Sequence, residues 1–331
     1  MSHPSSPPAR PAWFYHAMAL ATIMIWSFSF LFIVKLNREL TSIGVVVLRM
    51  EIFGLFVLAL FVWRRPRLRG LSVRDWALVL GLSLVGGPLY HQTFSWSAGT
   101  SAAGVSRIDP ALLGLVLATV PVHTGWLAWL FLGERLSLRR VAALTLGLVG
   151  VAVVIVGRFG RFDLLPAEQL EGPIGATAAA MLGGGVAVLT RAARRVYGPL
   201  ELAAVCGVFM VAMNAALHPI AGLDAIGTLS AGGWIAAIFL GIFGLGVAFL
   251  TWATALSGLP AVTVAMYLFL ASVLAAFWGW IFDDTPAGWP FVAGAALVLS
   301  GLIVMATSER RSVRTPAAPL VPAPAPAPPP S

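Results

Sequence analysis

The stretch from Leu117 to Val156 reads LATVPVHTGWLAWLFLGERLSLRRVAALTLGLVGVAVVIV, two apolar runs separated by a short polar segment. Each run is long enough to cross the hydrocarbon core of a bilayer as an α-helix, which rises about 1.5 Å per residue. The charged segment from Glu134 to Arg140 marks the position at which the chain leaves the membrane and turns back. The stretch therefore predicts a helical hairpin in a membrane.

Composition extends this prediction to the whole chain. Hydrophobic residues make up 59% of the sequence and charged residues only 10%, whereas about a quarter of the residues of a soluble domain are charged. The net charge of +8 would suit a nucleic-acid-binding protein, but the arginines lie in short clusters between apolar segments, as in cytoplasmic loops of membrane proteins. We therefore predict the lipid bilayer as a partner and exclude nucleic acid.

Ten apolar segments follow one another along the chain. Because every backbone polar group must be satisfied inside lipid, such segments are helices rather than open strands. The predicted fold class is therefore an all-α polytopic membrane protein with ten transmembrane helices. We place these helices at residues 14–34, 42–63, 75–98, 110–132, 139–157, 173–192, 199–220, 232–256, 260–282 and 287–307.

The distribution of basic residues predicts the orientation. Ten spans leave both termini on one side, and with that side inside, the cytoplasmic segments hold fifteen of the twenty-one lysines and arginines and the outer loops five. The remaining one, Arg49, lies within a span. Because cytoplasmic loops carry the excess of Lys and Arg, we predict a multi-pass protein of the inner (plasma) membrane with both termini in the cytoplasm.

The ten spans divide into two units of five helices, residues 13–157 and 173–307, joined by a polar linker at 158–172. Since five is odd, the two units face opposite ways and form an inverted repeat. The flanking segments, residues 1–12 and the Pro/Ala-rich residues 308–331, are too polar or proline-rich to join a core, and we predict that both are disordered tails.

The motif Leu-Gly-Glu-Arg at 132–135, preceded by Pro121 and followed by a glycine-rich helix, resembles the drug/metabolite transporter superfamily and, more narrowly, its EamA-type members. Trp26 to Lys35 resembles the first helix of that family, and Arg49 resembles the arginine of its second helix. The resemblance implies two five-helix repeats and export of amino acids, other metabolites or toxic compounds.

The second repeat departs from the family pattern. Where EamA-type repeats often carry proline, this chain has Leu270 and Ala271, and where they carry Leu-Gly-Glu it has Phe282, Asp283 and Asp284. We therefore expect the two halves to contribute unequally to any gate.

Polar and ionisable side chains inside the predicted spans cost a few kcal/mol each and so require a reason. Arg49 and Glu51 lie two positions apart on one helix and cannot face each other, so each needs a partner elsewhere. For Arg49 a structural ion pair and a substrate contact both remain open. Glu51, His91 and His123 are candidates for proton coupling, since histidine titrates near neutral pH; the alternative for each histidine is a hydrogen bond between helices.

We predict a cavity with an aromatic wall and one polar group, framed by Trp26, Trp96, Asn214, Trp252 and Tyr267. Pro121 is the candidate helix break, because proline removes a backbone hydrogen bond and frees a carbonyl. Glu134 is the candidate gating residue, and we expect Arg135, Arg139 and Arg140 to neutralise it. The candidates for substrate contact are Trp26, Arg49, His91, Trp96, His123, Asn214, Trp252 and Tyr267.

These observations favour a secondary transporter that exports small metabolites, such as amino acids, by alternating access. No Walker motif points to ATP hydrolysis, and we expect neither a cofactor nor a metal; the single cysteine, Cys206, excludes an intrachain disulfide.

One alternative is a polytopic enzyme acting on lipid or prenyl substrates, although HExxH, GxSxG and aspartate-rich motifs are absent from the sequence. The other is a non-transporting scaffold that works through its proline tail. Monomer and homodimer remain equally open.

Overall fold

The computed structural model describes residues 10–66, 68, 70–99, 107–108, 110–159, 170–282 and 288–314, and every regular element within these ranges is helical. Most of the predicted tails and linker lie outside the described residues, as do Asp283 and Asp284. Cys206 is fully buried among apolar side chains, as expected for a packing residue.

Thirteen α-helices make up the described fold. The first half contains α1 (Ala12–Leu36), α2 (Ser42–Arg64), α3 (Val73–Leu84), α4 (Tyr90–Ala98), α5 (Pro110–Leu117), α6 (Val120–Leu132) and α7 (Leu138–Phe159). The second half contains α8 (Glu171–Ala193), α9 (Pro199–Asn214), α10 (Ala231–Ile238), α11 (Ala248–Gly258), α12 (Ala261–Phe282) and α13 (Trp289–Arg314). Two π-helical segments, Val85–Leu89 and Phe239–Val247, join α3 to α4 and α10 to α11, and two 3₁₀ turns, Ala215–Ile220 and Leu223–Thr228, follow α9.

Nine helices in the described part of the chain are long and apolar enough to cross a membrane. They are Ala12–Ile33, Ser42–Arg64, Leu112–Leu132, Leu138–Gly157, Glu171–Ala193, Pro199–Ile220, Ala231–Gly258, Ala261–Trp278 and Trp289–Thr307. The predicted span at 75–98 is absent from this set. It is helical from α3 through α4, but its second half reads YHQTFSWSA and is polar.

The third helix of each half is interrupted by a π-helical segment. In the first half Pro88 has no N–H to donate, and Gly87 leaves the helical region with φ −94° and ψ −108°. In the second half the interruption is the glycine-rich segment Phe239–Val247, where a Cβ added at Gly241 would lie 2.6 Å from Ile52. The glycines of this segment therefore allow its backbone to approach α2 closely.

The second helices of the two halves, α2 and α9, run antiparallel through the centre. Gly54 faces Val211 and Gly207 faces Val57, so residue numbers rise along α2 as they fall along α9. Because these helices occupy equivalent places in the two halves, their opposite directions mean that one half is inverted relative to the other.

The fifth helices, α7 and α13, pair in the same way and more tightly. A Cβ added at Gly150 would lie 2.7 Å from the carbonyl oxygen of Gly294, and one added at Gly301 would lie 2.8 Å from that of Ala143. The two backbones are therefore in direct antiparallel contact, an arrangement that small residues permit in lipid. This second pair gives the same inversion as the first.

Each interrupted third helix packs against the other half. In the first half α4 lies on α8, and Met210 of α9 fills the space beside Gly87. In the second half α11 lies on α1, and the π-helical segment Phe239–Val247 lies on α2. The interruptions thus lie at the interface between the two halves.

The fourth helices differ between the halves. We expected one continuous helix at 110–132 with a kink at Pro121, but the helix breaks at Ala118 and Thr119, and Pro121 lies in the first turn of α6. Proline fits there because a first-turn N–H has no helical partner in any case. In the second half α12 is continuous. The break is therefore confined to the first half of the described chain.

The contact between α7 and α13 should not accept larger side chains. We expect Gly150→Ala to lower the free energy of unfolding by about 1–3 kcal/mol, because the new methyl group would overlap the backbone of α13. Gly81→Ala is the control, since a Cβ at Gly81 meets nothing within 4 Å. Thermal unfolding of the purified protein in detergent measures both changes, and equal melting temperatures would contradict the close contact.

Candidate functional site

The buried charge of the first half is Arg49 on α2. The residue is 5% exposed, and its Nη2 lies 2.8 Å from Nδ1 of His91 on α4. A guanidinium can only donate hydrogen bonds, so Nδ1 accepts and the imidazole carries its proton on Nε2. In this conformation His91 is therefore a neutral acceptor that holds Arg49 in place.

The structural ion pair considered for Arg49 is not found. Among the residues that the structure describes, ion pairs join Arg64 to Glu201, Arg191 to Glu134 and His218 to Glu51, and none includes Arg49. Its Nε is buried without a hydrogen-bond partner. Arg49 thus brings a positive charge and a free N–H to the interface between the halves.

Asn214, at the end of α9, is fully buried, and neither its Oδ1 nor its Nδ2 has a hydrogen-bond partner. Because Gly54 faces Val211 in the antiparallel register, Asn214 lies near the level of Met50, next to Arg49 in the sequence. Buried side-chain amides are normally hydrogen-bonded, so an unpaired one requires an explanation.

α4 reaches the same level from the other side. The third helix runs parallel to α9, since the carbonyl of Val79 lies 3.8 Å from Sγ of Cys206 and Gly87 contacts Met210. His91 contacts Arg49, and Asn214 lies near the level of Met50, so His91 and Asn214 lie near one level. Gln92, the next residue on α4, also has a buried Nε2 without a partner. Polar groups from α2, α4 and α9 therefore gather at one level of the bundle.

Trp26 of α1 and Trp252 of α11 form an aromatic pair across the interface, with ring centroids 5.2 Å apart. Nε1 of Trp26 donates to the carbonyl of Gly244, 2.9 Å away, in the second π-helical segment. Trp252 is 3% exposed, and its Nε1 has no hydrogen-bond partner.

Of the other predicted wall residues, Tyr267 packs against the same apolar cluster as this pair, whereas Trp96 does not belong to that cluster. Tyr267 shares a hydrogen bond of 2.9 Å with His16, whereas Trp96 lies near the end of α4 with the guanidinium of Arg107 4.9 Å from its ring centroid. Asn214 lies on α9 near the level of Arg49. The structure therefore brings Trp26, Trp252 and Tyr267 together in one apolar cluster, while tertiary packing sets the helix rotation that places the polar Asn214 near the level of Arg49.

The three proton-coupling candidates are held by three different partners. His91 contacts Arg49, His123 accepts from Nε1 of Trp126 at 3.3 Å on its own helix, and Glu51 pairs with His218 at 2.9 Å. In the described structure they do not form one hydrogen-bonded relay.

His218 was missed by the sequence reasoning because it follows α9 in a stretch that reads as the end of a span. Glu51, its partner, lies on the same face of α2 as the exposed residues Leu55 and Leu58. That face points away from Arg49, so the Glu51–His218 pair is separate from the buried charge.

Glu134 is the centre of a cluster of hydrogen bonds at one end of the bundle, here called the Glu134 node. Its Oε1 accepts from Nε of Arg191 at 2.9 Å and from the backbone N–H of Ala261 at 3.0 Å, at the start of α12. Nη1 of Arg191 donates in turn to the carbonyls of Leu256 and Leu259, at the end of α11. The node thus satisfies backbone groups at two helix ends, which have no partner within their own helices.

This node corrects the expected partners of Glu134. Arg140 donates to the carbonyl of Arg135 instead, at 2.8 Å. The reason is local, because Gly133 adopts φ +68° at the end of α6, and this left-handed residue turns the chain so that Glu134 reaches inward to α8 and α12.

A second carboxylate, Glu39, links the halves at the opposite end. Its two oxygens accept from the backbone N–H and the hydroxyl of Ser230, both at 2.8 Å, and Ser230 caps α10. These bonds hold the pKa of Glu39 below its usual range. Ser230 and Leu259 flank the two ends of the span Ala231–Gly258, so the Glu39 and Glu134 contacts lie at opposite ends of the bundle.

The model of the EamA-like transporter family matches residues 13–156 and 170–307. The chain belongs to this family. Each matched stretch contains one of the two inverted halves, and the predicted resemblance is confirmed. The protein is therefore a multi-pass membrane protein of a transporter family.

Individual relatives agree with this assignment. The chain is 25% identical over 254 residues to the "Uncharacterized transporter YvbV" of Bacillus subtilis, covering 74% of this chain and 77% of that protein. It is 30% identical over 185 residues to the "Aromatic amino acid exporter YddG" of Ancylobacter novellus, covering 55% of this chain and 60% of that protein. A solved crystal structure superposes with a TM-score of 0.71 at 22% identity, over 90% of this chain and 98% of the other, and shares the fold.

The Glu134 node predicts an unusual mutational result. Glu134→Ala should lower the free energy of unfolding by about 1–3 kcal/mol, because it removes the acceptor of the Ala261 N–H and of Nε of Arg191. Exchanging the charges, Glu134→Arg with Arg191→Glu, should not restore stability. The new arginine would face an N–H, and the new glutamate would face the carbonyls of α11.

Thermal unfolding in detergent measures these variants. Arg64→Ala is the matched control, since Arg64 pairs with Glu201 in a half-exposed ion pair, and such pairs contribute about 1 kcal/mol or less. Recovery of the melting temperature in the charge-exchanged variant would show a simple ion pair and contradict the role assigned to the helix ends.

Proposed function

We propose that the protein is a secondary transporter that exports small metabolites, amino acids among them, across the plasma membrane by alternating access. The observation that carries this proposal is the group of buried polar side chains without protein partners at the interface of two inverted halves. In inverted-repeat transporters the substrate site lies at such an interface, near discontinuous helices. Arg49 contacts His91 on the interrupted third helix of the first half, and Asn214 lies near the same level on α9, which fits that description.

The contacts of Glu39 and Glu134 suit alternating access. Each joins a carboxylate of the first half to a backbone N–H at the start of a helix of the second half, and the two lie at opposite ends. For one half to rock against the other, one contact must open while the other holds. Neither contact includes a residue of α2, α9, α7 or α13, so opening either one leaves the helix pairs α2–α9 and α7–α13 intact.

The relatives support export and the substrate class. The Ancylobacter novellus relative is named an exporter of aromatic amino acids. An amino acid has charged groups that suit Arg49 and Asn214, and an apolar side chain would suit the pair formed by Trp26 and Trp252. Monomer and homodimer are both compatible with this function.

The test of alternating access is a reversible cross-link at the Glu39 end. Glu39→Cys and Ser230→Cys, introduced into a Cys206→Ala background and joined by a short bis-methanethiosulfonate reagent, should stop export, because the halves can no longer separate there. A reducing agent should restore it. The measurement is mass spectrometry of metabolites in medium and cells after induced expression.

The controls are an empty vector and each single-cysteine variant treated with the same reagent. A compound class that accumulates outside only with the wild-type protein supports the transporter. Undiminished export from fully cross-linked protein would rule out alternating access, and an altered lipid profile without any exported metabolite would favour the membrane enzyme.

The proposed topology has ten transmembrane helices, with the segment 73–98 as the third, and both termini in the cytoplasm. The polar sequence of α4 is compatible with a membrane span, because α2 and α8 pack against this helix and it faces protein rather than lipid. The excess of basic residues in the assigned cytoplasmic segments supports the orientation.

Reporter fusions in a bacterial host test this topology. Alkaline phosphatase fused after Gly99 should be active, because this enzyme folds only outside the cytoplasm, and the same enzyme fused after Arg65 or at the C-terminus should be inactive. Green fluorescent protein fused at the same three positions provides the complementary signal. If the fusions after Arg65 and Gly99 report the same side, residues 73–98 do not span the membrane.

A further inference from the structure

Arg49 places an uncompensated positive charge inside the membrane domain. It lies seven residues from the start of α2 at Ser42, or about 10 Å along the helix axis. Ionisable residues at such positions normally face a partner of opposite charge or a substrate pathway. The carboxylate closest in sequence, Glu51, lies on the other face of α2 and is held by His218. No other carboxylate of the described chain pairs with Arg49.

The groups around Arg49 offer hydrogen-bond donors in excess. His91 uses its acceptor on the guanidinium, while Nε of Arg49, Nδ2 of Asn214 and Nε2 of Gln92 are buried donors without acceptors. Against these three donor groups stands one buried acceptor without a donor, Oδ1 of Asn214. A ligand that pairs with these side chains must therefore bring negative charge and several lone pairs. A carboxylate has both, and its planar shape matches the planar guanidinium fork.

We infer that Arg49 and Asn214 bind the carboxylate group of the exported substrate, and that His91 is the positioning residue that orients Arg49. This inference rests on the proposed transport function and adds its chemical selectivity: acids are recognised, and their amides are not. Asn214 donates to one carboxylate oxygen from the second half, while Arg49 binds from the first. The substrate thus joins the two halves where they meet.

The first test uses thermal unfolding of the purified protein with matched probes: phenylalanine against phenylalanine amide, and 3-phenylpropionate against 3-phenylpropionamide. The acids should raise the melting temperature, and the amides should not. Arg49→Met should abolish the response to acids, yet leave the ligand-free protein as stable as the wild type or more stable, because the uncompensated buried charge that it removes costs more than the His91 acceptor that it leaves without a donor. Asn214→Leu should raise the half-effective acid concentration about tenfold or more.

Two further variants sharpen the test. Arg49→Lys keeps the charge but loses the planar fork, so its half-effective concentration should also rise by about tenfold or more. Arg64→Gln removes an arginine from the exposed end of the same helix and should respond like the wild type. If Arg49→Met destabilises the ligand-free protein, or if amides stabilise the wild type as well as acids do, Arg49 has a structural role and the inference is wrong.

Measurements of export distinguish a failure of this inference from a failure of the proposed transport function on which it rests. Cells expressing the wild-type protein should accumulate carboxylic acids in the medium, and Arg49→Gln should abolish that accumulation at equal protein level. Export of neutral or cationic compounds that survives Arg49→Gln would keep the transporter and overturn the carboxylate site. Failure of the wild-type protein to export any metabolite would overturn the proposed function itself.

Discussion

Inside a bilayer no water is available to hydrogen-bond a free backbone N–H or C=O, and this constraint governs where the helices of this protein can be interrupted. The interruptions at Gly87 and between Phe239 and Val247 lie where the two halves pack against each other. Trp26 donates to a carbonyl in one of them. At one end of the bundle, the side chains of Glu134 and Arg191 bind the backbone groups at the ends of α11 and α12, which have no partner within their own helices.

Because one half is inverted relative to the other, the interrupted helices lie at the interface between the two halves. Antiparallel contacts between α2 and α9 and between α7 and α13 hold the halves together through glycines. Each interrupted third helix then lies against the first two helices of the other half. Regular helices provide the rigid packing, while the irregular backbone, the Trp26–Trp252 pair and the buried polar groups lie where the two halves meet. A protein that rocks one half against the other would change its contacts at that interface first.

Hydropathy was enough to predict the nine spans found in the described chain, and local motifs such as Leu-Gly-Glu-Arg at 132–135 were enough to indicate the family. Both depend on residues close together in the chain. The third helix was also predicted as a span, but its interruption was not, although Gly86, Gly87 and Pro88 stand together there. The partners of Glu134 were predicted incorrectly, since arginines near in sequence were chosen over Arg191, 57 positions along the chain. His218 was overlooked because it lies in a stretch that reads as the end of a span, and its partner, Glu51, lies on a helix of the other half.

The sequence by itself determined the membrane environment, the helical class, the two-part organisation and the residues too polar to lie in lipid without a reason. These follow from composition, segment length and local motifs, which require no knowledge of how the helices rotate. Only the tertiary structure decided which of these residues meet: Arg49 with His91, Glu134 with Arg191, and Trp26 with Trp252 rather than with Trp96. The physical reason is that a helix presents a side chain every 100° or so, and packing against neighbouring helices sets which of them faces the interface.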